Sequence, residues 1–150
     1  MKIKEGDVFF IKTKIGNGFI QYITIGDLGV ELVRVLEPVK HGYDITQEEV
    51  NLKERYSVYF VVKAALKKKL IEYVGQFQIP PSYVVPTKAR TKHIVRGDFL
   101  GWHIVDQKTL KRELKQELNS EDISLSPHGH PNDTLLIEWL ENDWRLENWK

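Results

Sequence analysis

The segment Gly6–Leu36, GDVFFIKTKIGNGFIQYITIGDLGVELVRVL, decides the fold class of this chain. It contains three runs of β-branched and aromatic residues, a composition typical of strands. Between the runs, Asn17-Gly18 and the stretch from Asp27 to Gly29 supply residues that tolerate a positive φ, so the chain can reverse there. The pattern predicts an antiparallel meander with strands at Asp7–Thr13, Phe19–Ile25 and Val30–Leu36.

Both faces of these strands carry apolar residues. A flat sheet would leave one of those faces in water, so we expect a strongly curved antiparallel sheet or a partial barrel. Thr46–Glu49 has the capping-box pattern that begins a short helical turn. Further strands are predicted at Tyr56–Val62, Leu70–Gln78 and Phe99–Val105, which gives five to six strands in all.

Two helices are predicted in the C-terminal third. Asp106 is expected to cap a helix over Gln107–Leu118, because leucines recur every four residues there and form an apolar stripe. A second helix is expected to start at Asn132 or Asp133, to end at about Asn142 and to bury Leu136, Trp139 and Leu140. Residues 83–97 lack periodicity and are interpreted as an exposed basic loop. We therefore expect one α+β domain over residues 1–150.

Composition places the chain among ordinary globular proteins. Of its 150 residues 41% are hydrophobic and 11% aromatic, and its 22 basic and 21 acidic residues leave a formal charge of +1. This balance gives no reason to expect a nucleic-acid or membrane partner. The absence of cysteine excludes disulfides and thiol chemistry. MKIKEGD at the start lacks the apolar core of a secretory signal, so we expect a cytoplasmic protein.

No pattern in the sequence indicates catalysis. Nucleophile elbows, phosphate-binding loops and dinucleotide fingerprints are absent. A carboxylate pair drawn from Glu138, Glu141 and Asp143 could act as acid and base. These residues are better explained as a solvated helix surface, since they lie opposite the predicted buried face. The sequence predicts a protein that is not an enzyme and needs no cofactor.

Two histidines are the nearest approach to a metal motif. His128 and His130 alternate in PHGHP, and alternate histidines in an extended chain can share one ion. Two ligands between prolines are more typical of a turn, so we predict no metal site while leaving this alternative open.

A basic cluster provides an alternative function. Lys88, Arg90, Lys92 and Arg96 have no acidic residue among them, and aromatic residues nearby could stack on bases. A small nucleic-acid-binding domain could use these four side chains. The acidic C-terminal third argues against it, because an acidic surface repels phosphate unless it faces away.

Charge segregation supports a different kind of partner. From Glu121 to Trp149 acidic residues face a single basic residue, Arg145, and three tryptophans lie among them. Such a segment could dock on a basic protein; alternatively, the tryptophans are core and the acids keep the face soluble. The predicted partner-binding residues are Glu121, Asp122, Glu138, Glu141, Asp143 and Arg145.

Three stretches carry a resemblance to a known family. KEGDVFFIKTKIGNGFIQYI at the start, GWHIVD, and SLSPHGHPNDTLLIEWLENDW near the end resemble the immunity protein 26 family of bacterial polymorphic-toxin systems. The resemblance implies a single-domain cytoplasmic protein that binds and neutralises a cognate toxin domain by protein–protein contact, without catalysis. Many such toxins are nucleases, whose clefts must be basic to hold phosphate, so an acidic surface would suit such a partner.

Overall fold

The computed structural model describes residues 1–26 and 28–150, in which the chain forms two antiparallel sheets and four short helices. The five-stranded sheet has the order β4-β3-β2-β1-β5, with β1 (Asp7–Thr13), β2 (Gly16–Ile25), β3 (Glu31–Val35), β4 (Tyr56–Tyr59) and β5 (Ile71–Gln76). The three-stranded sheet has the order β6-β7-β8, with β6 (Lys88–Val95), β7 (Asp98–Asp106) and β8 (Arg112–Lys115). The helices are α1 (Gln47–Val50), α2 (Val62–Lys67), α3 (Ser120–Ile123) and α4 (Asp133–Glu141).

The predicted N-terminal meander is confirmed. Phe10 of β1 lies opposite Phe19 of β2, and Ile20 of β2 lies opposite Val35 of β3. The second strand begins earlier than predicted, at Gly16, because its first residues continue the pairing with β1. The turn predicted from Asp27 to Gly29 is only partly observed, since Asp27 lies outside the described residues.

The α+β class is confirmed, but the single curved sheet or partial barrel of five to six strands is not found. Eight described strands form two sheets, and neither closes. Both faces of the five-stranded sheet are nevertheless buried. One face packs against α2 and α4 through Phe9 and Val33, whereas the other, with Phe10 and Phe19, packs against the segment around α1. Covering both faces with other elements satisfies the same apolar pattern that suggested curvature.

A buried arginine fixes the segment around α1. Arg34 of β3 is 1% exposed. It donates to Gln21 Oε1 at 2.6 Å and to Glu54 Oε1 at 3.0 Å, and its Nη2 donates to the Val50 and Leu52 carbonyls. The charge therefore has an ionic partner and four hydrogen bonds, the kind of compensation that a buried guanidinium requires.

The second sheet corrects the prediction of an exposed loop over residues 83–97. Lys88–Val95 forms β6, which pairs with β7 through Lys92 opposite Trp102. Lys88, Arg90 and Lys92 occupy alternate positions of β6. A period of two is that of a strand, in which alternate side chains lie on the same face. Trp102 is buried as predicted, at 3% exposure.

The predicted helix over Gln107–Leu118 is also wrong. Asp106 Oδ1 accepts the backbone N–H groups of Lys108 and Thr109, which closes a turn, and Leu110 has φ +62°. A positive φ at a leucine ends any helix there, and the chain returns as β8 beside β7. An aspartate closes such a turn with the same hydrogen bonds that cap a helix, so the local signal was ambiguous.

The second predicted C-terminal helix is confirmed as α4. Asn132 is its N-cap and accepts the N–H of Leu135 at 2.8 Å. Leu136 and Leu140 are fully buried, and Trp139 is half-buried against the same core. Gly18 of β2 lets α4 approach closely, because a Cβ there would lie 2.5 Å from Leu140 Cδ1. Among the helices in the described part of the chain, none has the length and apolar character needed to cross a bilayer.

Arg90 of β6 joins the second sheet to the C-terminal segments. The side chain is 0% exposed and donates to the carbonyls of Ile123, Leu125, Leu146 and Trp149. Its guanidinium carbon lies 4.9 Å from the Trp102 ring centroid and 4.4 Å from that of Trp149. Burial lowers the pKa of Arg90 to about 10, so the group remains charged at neutral pH.

Gly18→Ala tests the docking of α4. We expect the added methyl group to displace Leu140 and to lower the free energy of unfolding by about 1–3 kcal/mol, the usual cost of overpacking a core. Urea denaturation measures this. The matched control is Gly42→Ala, where a Cβ meets nothing within 4 Å, and which should change stability by less than about 0.5 kcal/mol. Equal stability of both variants would contradict the close packing.

Arg90→Met tests the buried guanidinium. The substitution keeps an extended side chain but leaves the carbonyl acceptors without their donor, so we expect a loss of more than about 3 kcal/mol in the free energy of unfolding. Arg112→Met, at an exposed position of β8 in the same sheet, is the matched control and should stay within about 0.5 kcal/mol of the native protein. A similar, small effect of both substitutions would show that Arg90 contributes little.

Candidate functional site

The candidate partner-binding surface is formed by α3, α4 and the residues that follow α4. A shallow cavity of about 290 Å³ lies between α3 and the 3₁₀ turn Leu146–Asn148, called the C-terminal turn below. Ser120 and Ile123 of α3, Glu147 of the turn, and Arg55 before β4 contribute to its walls. Segments that are distant in sequence therefore meet at this cavity, and α4 with Glu138 and Glu141 lies outside its walls.

Arg145 is held in a charge cluster that joins the C-terminal segment to the first sheet. Its Nη1 and Nη2 donate to the two carboxylate oxygens of Glu37, at 2.5 and 2.8 Å. Asp143 Oδ1 lies 3.0 Å from Arg145 Nη2 and 3.1 Å from Arg55 Nη1. Hydrogen bonds from Arg145 lower the pKa of both Glu37 and Asp143. Sequence reasoning missed Glu37, because nothing local places it near a residue 108 positions away.

Asp122 has a structural role, although it was predicted to bind a partner. It is 6% exposed. Its carboxylate accepts the Asn119 N–H, completing the capping box of α3, and both oxygens lie within 3.1 Å of Lys115 Nζ. Burial opposes ionisation, but these hydrogen bonds keep the pKa of Asp122 below its ordinary value. The residue anchors α3 to β8 and has little surface to offer.

The remaining predicted acids face solvent to different degrees. Glu121 and Glu138 are exposed and form no ion pair with any described residue, and the same holds for Glu147. Glu141 is half-buried and accepts the Lys14 backbone N–H at 2.8 Å. Three carboxylates are thus free to interact with a partner, and the others support the surface.

The four tryptophans form a continuous aromatic chain. The Trp139 and Trp144 rings stack at 4.6 Å, and Trp149 lies 5.4 Å from Trp144 and 5.0 Å from Trp102. Tyr56 contacts the first two rings edge-on. The tryptophans therefore belong to the packing between the sheets and the tail, as the alternative interpretation of this segment proposed.

The basic residues of the alternative nucleic-acid site lie along β6 and its turn. Lys88 is exposed, and Arg96 occupies the turn to β7 with φ +51°. Lys92 is exposed and lies 5.7 Å from the Trp102 ring centroid. Arg90 is fully buried between tryptophans, so its guanidinium does not face solvent. The structure therefore offers only three of the four charges on its surface.

His128 and His130 border a cavity of about 190 Å³ between the two sheets. His128 Nδ1 lies 3.2 Å from Gln107 Oε1. Burial lowers the pKa of His128, with Arg112 and His130 acting in the same direction. In residues 1–26 and 28–150, no group of three or more histidine, aspartate or glutamate side chains is arranged to hold a metal ion.

No protein-family model, curated protein or solved structure matches this chain.

Glu37→Gln tests the charge cluster through pH. A carboxylate whose folded pKa is lowered stabilises the fold above its ordinary pKa of 4.5, and this contribution is lost as the pH falls through the folded pKa. We expect the substitution to reduce the free energy of unfolding at pH 7 by up to about 1 kcal/mol, because the pair is partly exposed. The difference in the free energy of unfolding between the variant and the native protein, called the gap below, should decrease as the pH falls below 4.5.

Urea denaturation between pH 3 and pH 7 measures this gap. Glu138→Gln is the control, since that exposed carboxylate makes no ion pair with a described residue, and it should differ from the native protein by less than about 0.5 kcal/mol. A gap for Glu37→Gln that does not change with pH would exclude the ion pair as its cause.

Proposed function

We propose that this chain is an immunity protein that binds a cognate toxin domain and neutralises it by protein–protein contact, without catalysis. It would act in the cytoplasm of the cell that makes the toxin. The observation that carries the proposal is the set of exposed acids on the C-terminal surface, Glu121, Glu138 and Glu147, which form no ion pair with a described residue. The sequence resemblance points to the same class of protein.

The rigidity of this surface supports the proposal. Asp122 anchors α3 to Lys115, and Arg145 anchors the segment after α4 to Glu37. Acids carried by elements fixed in this way are already in place before a partner arrives, so less conformational entropy is lost on binding. A surface of this kind suits a folded partner with a basic face.

The partner would be a basic protein surface, and the substrate cleft of a nuclease is one example. Acids on the immunity protein would take the place of nucleic-acid phosphates. Attraction between opposite charges over several ångströms raises the association rate, and salt screens it. The acidic surface itself should repel nucleic acid, because carboxylates and phosphates carry charges of the same sign.

A triple substitution tests the proposed surface. The proposal predicts that a large secreted protein is encoded directly upstream of this gene, and the C-terminal domain of that protein is the partner for the test. Co-expression of the native chain should restore growth to cells that make this domain. Glu121→Lys combined with Glu138→Lys and Glu147→Lys should abolish the rescue, since each central residue of an interface contributes about 1–3 kcal/mol to binding.

The matched control carries the same charge change elsewhere. Glu5, Glu48 and Glu72 are exposed and lie at the N-terminus, on α1 and on β5. Their triple lysine variant should still rescue growth, and both variants should melt within a few degrees of the native protein. Failure of the native chain to bind or neutralise the upstream domain would contradict the proposed function.

Association kinetics test the electrostatic part separately. Raising the salt concentration from about 50 to 300 mM should slow association with the toxin domain about tenfold or more. An unchanged association rate would leave the contact intact but remove charge steering from the proposal. Retention of single-stranded DNA by the native chain, lost on neutralising Lys88, Lys92 and Arg96, would favour the nucleic-acid alternative.

A further inference from the structure

One face of the three-stranded sheet collects basic and imidazole side chains. In an antiparallel sheet, residues directly opposite each other lie on the same face. Thr91 of β6 is opposite His103 of β7, and Arg112 of β8 is opposite Val105, two positions further along β7. His93 lies two positions from Thr91 on β6, so it shares this face as well. Arg90 and Trp102 lie on the opposite face, beneath the C-terminal tail.

The side chains on this face are in contact. The His93 and His103 rings lie with their centroids 4.3 Å apart, and Arg112 Nη1 lies 3.4 Å from His103 Nδ1. Burial lowers the pKa of His103, and His93 and Arg112 lower it further. Among the described residues, no carboxylate contributes to this shift.

A fourth segment adds one more histidine, His128, to the same face. Pro127 pairs with Arg90 beside the outer edge of β6, and the His128 N–H donates to the Arg90 carbonyl at 2.8 Å. His128, one residue on from Pro127, therefore points to the face that carries Arg112, and Arg112 acts on the pKa of both His103 and His128. His130 follows and contributes to the adjacent cavity with His128.

Arg112 determines whether this cluster can bind a cation or an anion. A guanidinium is always charged at physiological pH, and here its Nη1 lies 3.4 Å from His103 Nδ1, one of the two ring nitrogens through which a metal could bind. A cation would be repelled, whereas an anion would gain attraction and hydrogen bonds from the arginine and the surrounding imidazoles. A cluster of this composition is thus matched to an oxyanion.

The neighbouring cavity indicates what the anion is attached to. It has a volume of about 190 Å³, and its walls include Val30, Tyr59 and Leu110 together with the two histidines. For comparison, an apolar protein cavity of about 150 Å³ accommodates benzene. A small ring therefore fits in the cavity that His128 borders.

We propose that this face binds the phosphate group of a small molecule with an apolar or aromatic body, with Arg112, His93, His103 and His128 around the phosphate and the body in the cavity. Phosphate is preferred to carboxylate because the donors come from four separate segments. A phosphate presents at least three acceptor oxygens in different directions, whereas a carboxylate presents two in one plane. This site is independent of the proposed toxin-binding surface.

Phenyl phosphate is the probe, and ¹⁵N-labelled histidine rings report its binding at pH 7 in nuclear magnetic resonance titrations. We expect saturable shifts of the His103 and His128 ring signals, with His41, which lies outside the cluster, unchanged. Arg112→Gln should weaken binding about tenfold or more, as expected for the loss of a charge-assisted hydrogen bond. Inorganic phosphate should bind more weakly than phenyl phosphate, because it leaves the cavity empty.

Arg96→Gln is the matched control, since Arg96 is an exposed arginine in the turn of the same sheet, and it should bind phenyl phosphate within about twofold of the native protein. If both substitutions weaken phenyl phosphate binding equally, the effect depends only on the total charge of the protein, and the proposed site is wrong. Benzoate binding as tightly as phenyl phosphate would overturn the preference for phosphate. Displacement of phenyl phosphate by an equal concentration of Zn²⁺ would overturn the choice of an anion.

Discussion

The guanidinium of Arg90 is enclosed by two indole rings and by backbone carbonyls from α3, the segment after it and the C-terminal turn. Removing a guanidinium from water costs several kcal/mol unless its donors are satisfied. No carboxylate of a described residue accepts directly from it, so the carbonyls must supply the compensation. Each of them is usable only when its segment is in position. The buried charge therefore fixes β6, α3 and the chain end relative to one another, and an end that would otherwise fray is held by Trp149.

This constraint separates the two faces of the second sheet. Residues of α3 and the C-terminal turn cover the face that carries Arg90 and Trp102, and Glu121 and Glu147 on these segments are exposed. The opposite face is left to Arg112 and the histidines, where no described carboxylate acts on His103 or His128. The formal charge of +1 therefore describes neither of two surfaces. One carries the exposed Glu121 and Glu147, and the other carries the exposed Arg112.

Sequence reasoning succeeded where local and tertiary preferences agree. The first three strands, the capping-box turn of α1 and helix α4 with its Asn132 cap were all predictable, because turn residues, caps and apolar periodicity act over a few positions. It failed at residues 83–97 and 107–118, where one local pattern fits two structures. Basic residues at alternate positions fit a solvated loop or a two-faced strand, and Asp106 can begin a helix or close a turn. Pairing with β7 decided both cases, and that pairing involves residues up to 18 positions apart. At the candidate surface, sequence named the acids but could not separate Asp122, which is structural, from Glu121, which is exposed.

The sequence by itself determined the α+β class, the N-terminal meander, the last helix and the concentration of acids in the C-terminal third. These properties follow from composition and short-range periodicity, which are the same in the unfolded and the folded chain. Only the tertiary structure decided that there are two sheets, that Arg90 is buried while Arg112 is exposed, and that histidines from distant segments gather around one arginine. Two arginines of equal chemistry 22 positions apart differ because one strand face is covered by the tail and the other is not. That coverage depends on contacts between residues that are remote in sequence.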